Sequence, residues 1–159
     1  MQLVDGNDPI LKQPCEKYNF INPQTDLVEL VDNMVRVMYD NYGLGISANQ
    51  IGVPLQIFVM AAEKPVLVIN PKILESSPEL VELEEGCVSY PKHFLKIKRP
   101  MWVKVRYNLG SGQAQTFRYE GISARVFQHQ YDLLNGKTMW DNVSKLKRDM
   151  LLKKMEKMK

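Results

Sequence analysis

Hydrophobic positions along the chain fall into three helical stripes and four short β-rich runs. Leu27, Leu30, Val31, Met34 and Met38 share one face and predict a helix over 26–42. Asp26 is its expected N-cap, Glu29 three residues on resembles a capping box, and Gly43 is the expected stop. Ile122, Val126, His129 and Leu133 fall on one face of a second helix over 122–134, ended by Asn135-Gly136. A last helix over 144–158 would bury Leu146, Met150, Leu151, Met155 and Met158. The runs LQIFVM (55–60) and VLVIN (66–70) flank a turn at Glu63 to Pro65. MWVKVRY (101–107) alternates with period two, and QTFRY (115–119) follows it across the turn NLGSG (108–112). A polar stretch from Glu75 to Glu82 leads into a strand or loop ending at Glu85-Gly86-Cys87. The segment GLGISANQIG (43–52) packs as neither a simple helix nor a simple strand. Its three glycines let backbone approach a ligand closely. This order of elements, without an internal repeat or a low-complexity linker, predicts an α+β fold with an antiparallel or mixed sheet.

Composition narrows the class. The chain has 159 residues, one domain's worth at ~100–200 residues per domain. The expected organisation is a body over 1–143 and a basic C-terminal helix of the same domain over 144–159. Hydrophobic residues at 45% and charged residues at 25% exclude wholesale disorder, collagen and a disulfide miniprotein. No apolar run approaches ~18 residues, so no membrane span is expected. The N-terminal MQLVDGNDPI has neither the basic nor the apolar region of a signal peptide. Two cysteines, Cys15 and Cys87, make no disulfide framework and suit a reducing, cytoplasmic location. The net charge of +3 is unevenly spread: Ser144–Lys159 holds seven basic and two acidic residues, +5, on a body of −2. That tail is either a solvated helix face or a contact for an anionic surface such as RNA.

Taken singly, the candidate chemical groups are bland. A histidine followed four residues on by another histidine projects two ligands from one helix face, but His129 is followed by Leu133. A lone histidine on an apolar face reads as a hydrogen-bonded core residue, and Cys87 as a small buried thiol.

Three ordered segments change that reading. GLGISANQIG (43–52), EEGCVSYP (84–91) and QHQYDLLNG (128–136) together resemble the peptide deformylase family. The family pattern is Gly-x-Gly-x-x-Ala-x-Gln, then Glu-Gly-Cys-x-Ser, then Gln-His-Glu-x-x-His-Leu-x-Gly. Gly43, Gly45, Ala48 and Gln50 complete the first motif, and Glu85, Gly86, Cys87 and Ser89 the second. Asp8-Pro9, Ile69-Asn70-Pro71 and Leu146-Lys147-Arg148 extend the resemblance over nearly the whole chain.

The resemblance implies a peptide-deformylase-like α+β fold, with antiparallel or mixed sheets around a central motif helix and a C-terminal helix. It implies hydrolytic removal of the formyl group from N-formylmethionyl peptides or nascent chains. The cofactor it implies is one divalent metal, Fe(II), Zn or Ni, held by the motif cysteine and two helix histidines; here Cys87 and His129 match. Three protein ligands leave an open position for the attacking water, and the helix glutamate moves its proton. By the same resemblance Gln50 and the Val88 N–H stabilise the tetrahedral oxyanion. The Gly43–Gly45 backbone pairs with the extended substrate. Leu44, Leu83, Ile122 and Val126 are candidates for the methionine pocket, and the basic C-terminal helix resembles one associated with ribosome docking.

The third motif departs at two positions: Gln130 stands for the catalytic glutamate and Leu133 for the second histidine ligand. Glutamine cannot take a proton, which removes an acid–base contribution of roughly 10²–10⁴-fold. Leucine has no lone pair, so the metal is expected to be weakly bound or absent. Among replacement donors, His93 is expected in a loop, Asp132 as a cap or hydrogen-bonding partner, and Glu84 and Glu85 beside Cys87. The expectation is strongly reduced activity. The alternatives are a catalytically inactive relative that binds nascent N-termini or the ribosome, and an interaction protein with no peptide site.

Overall fold

The computed structural model describes residues 1–157. Helix α1 (Leu27–Asp40) starts where the stripe predicts, with the Asp26 carboxylate accepting from the Glu29 N–H at 3.0 Å. It ends when the Gly43 N–H reaches back to the Met38 carbonyl at 2.9 Å. Its face buries Leu30, Met34, Val37 and Met38.

Seven strands follow: β1 (Gly45–Ser47), β2 (Ile57–Met60), β3 (Val66–Ser76), β4 (Leu80–Cys87), β5 (Tyr90–Pro100), β6 (Trp102–Asn108) and β7 (Ala114–Glu120). They form a five-stranded sheet in the order β1-β2-β3-β6-β7 and a two-stranded sheet β4-β5. Every pairing of these strands is antiparallel, which selects the antiparallel form of the α+β expectation. Helix α2 (Gly121–Leu134) packs on the larger sheet, and helix α3 (Lys145–Glu156) follows a short 3₁₀ turn at Met139–Asn142. None of the helices described is long and apolar enough to cross a membrane.

The core divides around the sheet. Leu30, Met34 and Met38 of α1 pack with Ile46, Ile57, Val59 and Ile69. Ala124 and Phe127 of α2 pack with Phe58, Val103, Val105, Tyr107 and Tyr119. Phe127 meets Phe58 edge to face with centroids 5.0 Å apart. The Asn70 side chain accepts from the Tyr18 N–H at 2.8 Å and donates to its carbonyl at 3.0 Å. Those two bonds tie the N-terminal segment to β3.

Four expectations need correction. The segment 43–52 is half regular: Gly45–Ser47 pairs with Phe58–Met60 as an edge strand. A 3₁₀ turn, Ala48–Ile51, then closes on Gly52 at φ 86°. The glycines thus lead into and open the strand, and end the turn that follows it. Tyr90–Pro100 is a long strand, so His93 lies in β5 and not in a loop; Leu95 and Ile97 alternate inward along it. The VLVIN run continues through Pro71 to Ser76, past irregular register between Ile69 and Lys72. Helix α3 does not bury its predicted stripe. Leu146 and Met150 are 72% and 62% exposed, and only Leu151 packs inward, near Leu95 and Trp140. The side chain of Met155, and Met158, lie outside the described residues.

Candidate active site

The β4–β5 hairpin, α2 and the 43–50 segment enclose a cavity of about 530 Å³. Gly43, Leu44, Gly45, Leu83, Cys87, Val88, Ile122, Val126, His129 and Gln130 all line it, so ten of the residues singled out from the sequence converge. Gln50, on the 3₁₀ turn, is fully buried and lies behind the cavity-lining Cys87. Its Nε2 donates to Cys87 Sγ at 3.4 Å and to Ser89 Oγ at 2.9 Å, while its Oε1 accepts from the Ser47 N–H at 2.9 Å. The amide is therefore held at both ends and aimed at the thiol. A Cβ on Gly45 would stand 2.8 Å from Gln130 Nε2 and 2.9 Å from Val126 Cγ1, so only glycine brings β1 this close to α2. Leu44, Leu83 and Ile122 form an exposed apolar rim, not an enclosed pocket; Val126 is half-buried behind them.

Beneath the cavity lies a buried charge network. Glu85 Oε1 accepts from His129 Nδ1 at 2.9 Å and Arg99 Nη2 at 3.0 Å. Its Oε2 accepts from Arg125 Nη1 at 2.7 Å and from Arg99 Nε. Arg99 reaches on to Asp132 Oδ2 at 2.8 Å, and Arg125 to the Ile97 carbonyl at 2.8 Å. Burial works to raise the Glu85 pKa, but the bonds from His129, Arg99 and Arg125 and the Arg99 charge hold it down at about 2. Burial likewise works to lower that of His129. Hydrogen bonds and charge from Cys87 and Glu85 outweigh it and push the imidazole up to about 9. Cys15, buried with nothing to offset desolvation, is pushed up to about 11.

Arg99 and Arg125 were not singled out from the sequence. Arg99 follows Leu95 and Ile97 on the inward parity of β5, a signal available only once 90–100 is recognised as a strand. Nothing in the pattern marked Arg125.

The donors around Cys87 and His129 do not complete a metal site of the kind expected. Leu133, one turn after His129, is buried, and its carbonyl accepts from Asn49 Nδ2 at 2.8 Å. The Asp132 carboxylate is engaged by Arg99, in the hydrogen-bonding role expected of it, and both Glu85 oxygens are committed. His93 Nδ1 sits 3.0 Å from the Pro91 carbonyl, with the ring edge-on to Trp140 at 5.2 Å. Glu84 lines the cavity beside Cys87 but is exposed. Among the described residues no three His, Cys, Asp or Glu side chains are placed to share an ion. Gln130 Oε1 is buried without a hydrogen-bond partner.

A family profile described as Polypeptide deformylase matches residues 1–149. The peptide deformylase of Mesorhizobium japonicum is 40% identical over 157 residues, covering 95% of this chain and 88% of that protein. The peptide deformylase of Thermotoga maritima is 40% identical over 152 residues, covering 93% and 90%. A crystal structure of the Thermotoga maritima enzyme superposes with a TM-score of 0.84 at 37% identity, covering 89% of this chain and 96% of that one. That of the Ehrlichia chaffeensis enzyme in complex with actinonin superposes with a TM-score of 0.89 at 35% identity, covering 100% and 97%.

Proposed function

The chain belongs to the polypeptide deformylase family, and on that premise we propose that its cavity receives the N-formylmethionyl end of a peptide or nascent chain. The family's reaction is metal-dependent hydrolysis of the formyl amide. The residues that would form the peptide groove lie together around the cavity. Edge strand β1 and the two residues leading into it offer backbone at Gly43–Gly45 for pairing. The Gln50 amide stands beside the sulfur and Val88 lines the cavity next to it, and we assign these two as the oxyanion-stabilising donors. The rim formed by Leu44, Leu83, Ile122 and Val126 is apolar enough for a methionine side chain.

The chemistry is where this chain parts from its relatives. Cys87 and His129 remain as metal ligands, and two protein donors hold a divalent ion loosely. Gln130 cannot act as the base. We assign the chain strongly reduced metal-dependent deformylation, with Fe(II), Zn or Ni weakly bound or absent. The observation that carries this assignment is the buried Leu133 with no replacement donor beside it. Metal content and formate release, measured on this chain and on the double variant Gln130→Glu, Leu133→His, test it. The double variant is expected to hold a stoichiometric ion and to release formate roughly 10²–10⁴-fold faster. Turnover of the unaltered chain at the double variant's rate, with an ion bound, would overturn the assignment.

A second reading, a relative that binds N-termini without turnover, is favoured by the unpartnered Gln130 Oε1 in an otherwise complete groove. The basic face of α3 extends either reading to the ribosome of the cytoplasm, through salt-sensitive contact with RNA phosphates.

A further inference from the structure

Outward charges follow opposite rules on the two sheets. On the small sheet Glu82 stands directly across from Lys98 and Glu84 from Lys96, so acid faces base twice. On the large sheet like faces like: Lys72 stands across from Arg106, and Lys104 from Arg118. Like charges in direct register work against strand pairing. All four point away from α2, because the alternate residues Val103, Val105 and Tyr107 pack with Phe127 on the other side. Helix α1 shares their face but packs over β1 and β2, and the four cations are exposed or half-exposed. Glu75 reaches Lys104 at 3.9 Å and Glu120 reaches Arg118 at 2.9 Å. Lys72 and Arg106 have no ion-pair partner among the described residues. Four cations thus meet two carboxylates here, whereas residues 1–143 as a whole carry −2. Arg118 also lies over the Trp102 ring, its Cζ 4.0 Å from the centroid. A guanidinium backed by an aromatic ring is a platform for a nucleobase.

We propose that this face of β3, β6 and β7 docks a strand of RNA, whose phosphates neutralise the like-charge pairs. Sheet geometry sets paired cations about 5 Å apart across the strands, and Lys104 and Arg106 about 7 Å apart along β6. A flexible sugar–phosphate chain can follow that spacing while a base stacks at Arg118. RNA is chosen among polyanions on the nascent-chain reading above, since new polypeptides are made beside it. A lipid surface is the poorer occupant: Asn108, Thr116 and Glu120, outward beside these cations, are polar and bring nothing apolar to insert. None of the four cations lines the cavity, so the face can be altered without touching it.

The test measures binding of the full chain to fluorescein-labelled oligouridine by anisotropy, between about 50 and 200 mM KCl. Binding is expected to weaken with salt. Lys72→Gln with Arg106→Gln is expected to weaken it roughly tenfold and to reduce the slope of log affinity against log salt by about 1.4, at ~0.7 per phosphate contact on a single strand. Lys96→Gln with Lys98→Gln removes the same charge from the small sheet and is expected to leave the slope unchanged. In urea at low salt the Lys72, Arg106 double variant should unfold at a higher midpoint than the unaltered chain, because a like-charge pair is relieved. That rise separates lost contacts from lost folding; a lower midpoint would overturn the premise. Equal weakening in both double variants would overturn the proposal and leave RNA contact to α3. Tighter binding to phosphatidylcholine–phosphatidylserine vesicles than to oligouridine would overturn it as well. Formyl-peptide binding is followed in parallel: its absence, with the RNA result as expected, strikes the cavity reading and leaves this face standing.

Discussion

Two adjacent residues of α2 carry opposite polar arrangements. At His129 the helix meets Glu85, Arg99 and Arg125, and every oxygen of the buried carboxylate has at least two donors. At Gln130, facing β1, a buried oxygen has none. The first arrangement is a network in which both oxygens of the buried carboxylate are fully engaged; the second is a buried acceptor without a donor. The difference teaches that fixing the imidazole and supplying the base are separable. Glu85 orients His129 from the hairpin, through contacts that do not involve positions 130 or 133, so the orientation survives when those positions change.

The largest effect is expected from breaking that network. Glu85→Ala would take the carboxylate from Arg125 and His129 and leave Arg99 with Asp132 alone, costing about 3–5 kcal/mol in urea unfolding. A cost below ~1 kcal/mol, no more than a surface ion pair, would mean the network contributes little to stability. Acid sharpens the same point with a smaller, graded effect. The carboxyl sits at 4.5 in an unperturbed chain and at about 2 in the fold, so across that interval the folded state binds fewer protons than the unfolded one. The network's contribution is therefore whole above pH 4.5, declines as pH falls and is gone below about 2. Thermal melts over that range should show a decline that is absent from Glu85→Gln. The smallest effect belongs to the unsatisfied side. Gln130→Met removes the orphaned oxygen while keeping side-chain length, and is expected to stabilise the chain by about 1 kcal/mol in the same urea assay. A loss of stability instead would show that the glutamine amide makes a contact worth more than its buried oxygen costs.

Local pattern carried much of the fold. The stripe from Leu27 to Met38 and its Asp26 cap place α1 within two residues at each end, because amphipathic spacing and capping are properties of neighbours in sequence. The stripe through His129 places α2 equally well. Strand β5 escaped notice because its outer half is polar, Lys92, Lys96 and Lys98 among it, and its inward parity ends in Arg99. An arginine inside reads as a strand's end until a carboxylate opposite it is known. Helix α3 failed in the other direction: its apolar residues fit a helix, but no element of the body covers Leu146 and Met150, and periodicity says nothing of whether a face finds a partner.

The residue types alone settled which family the chain resembles and which donors it lacks, since Gln130 and Leu133 differ from glutamate and histidine in any conformation. Tertiary structure decided what the remaining groups do. Glu85 meets Arg125 and His129 from 40 and 44 positions away. Asp132 is drawn to Arg99, and His93 lines the cavity from β5 with its ring edge-on to Trp140. These pairings depend on the hairpin crossing α2 at one depth and register. A buried charge is stable only where such long-range partners converge, and no local pattern records that convergence.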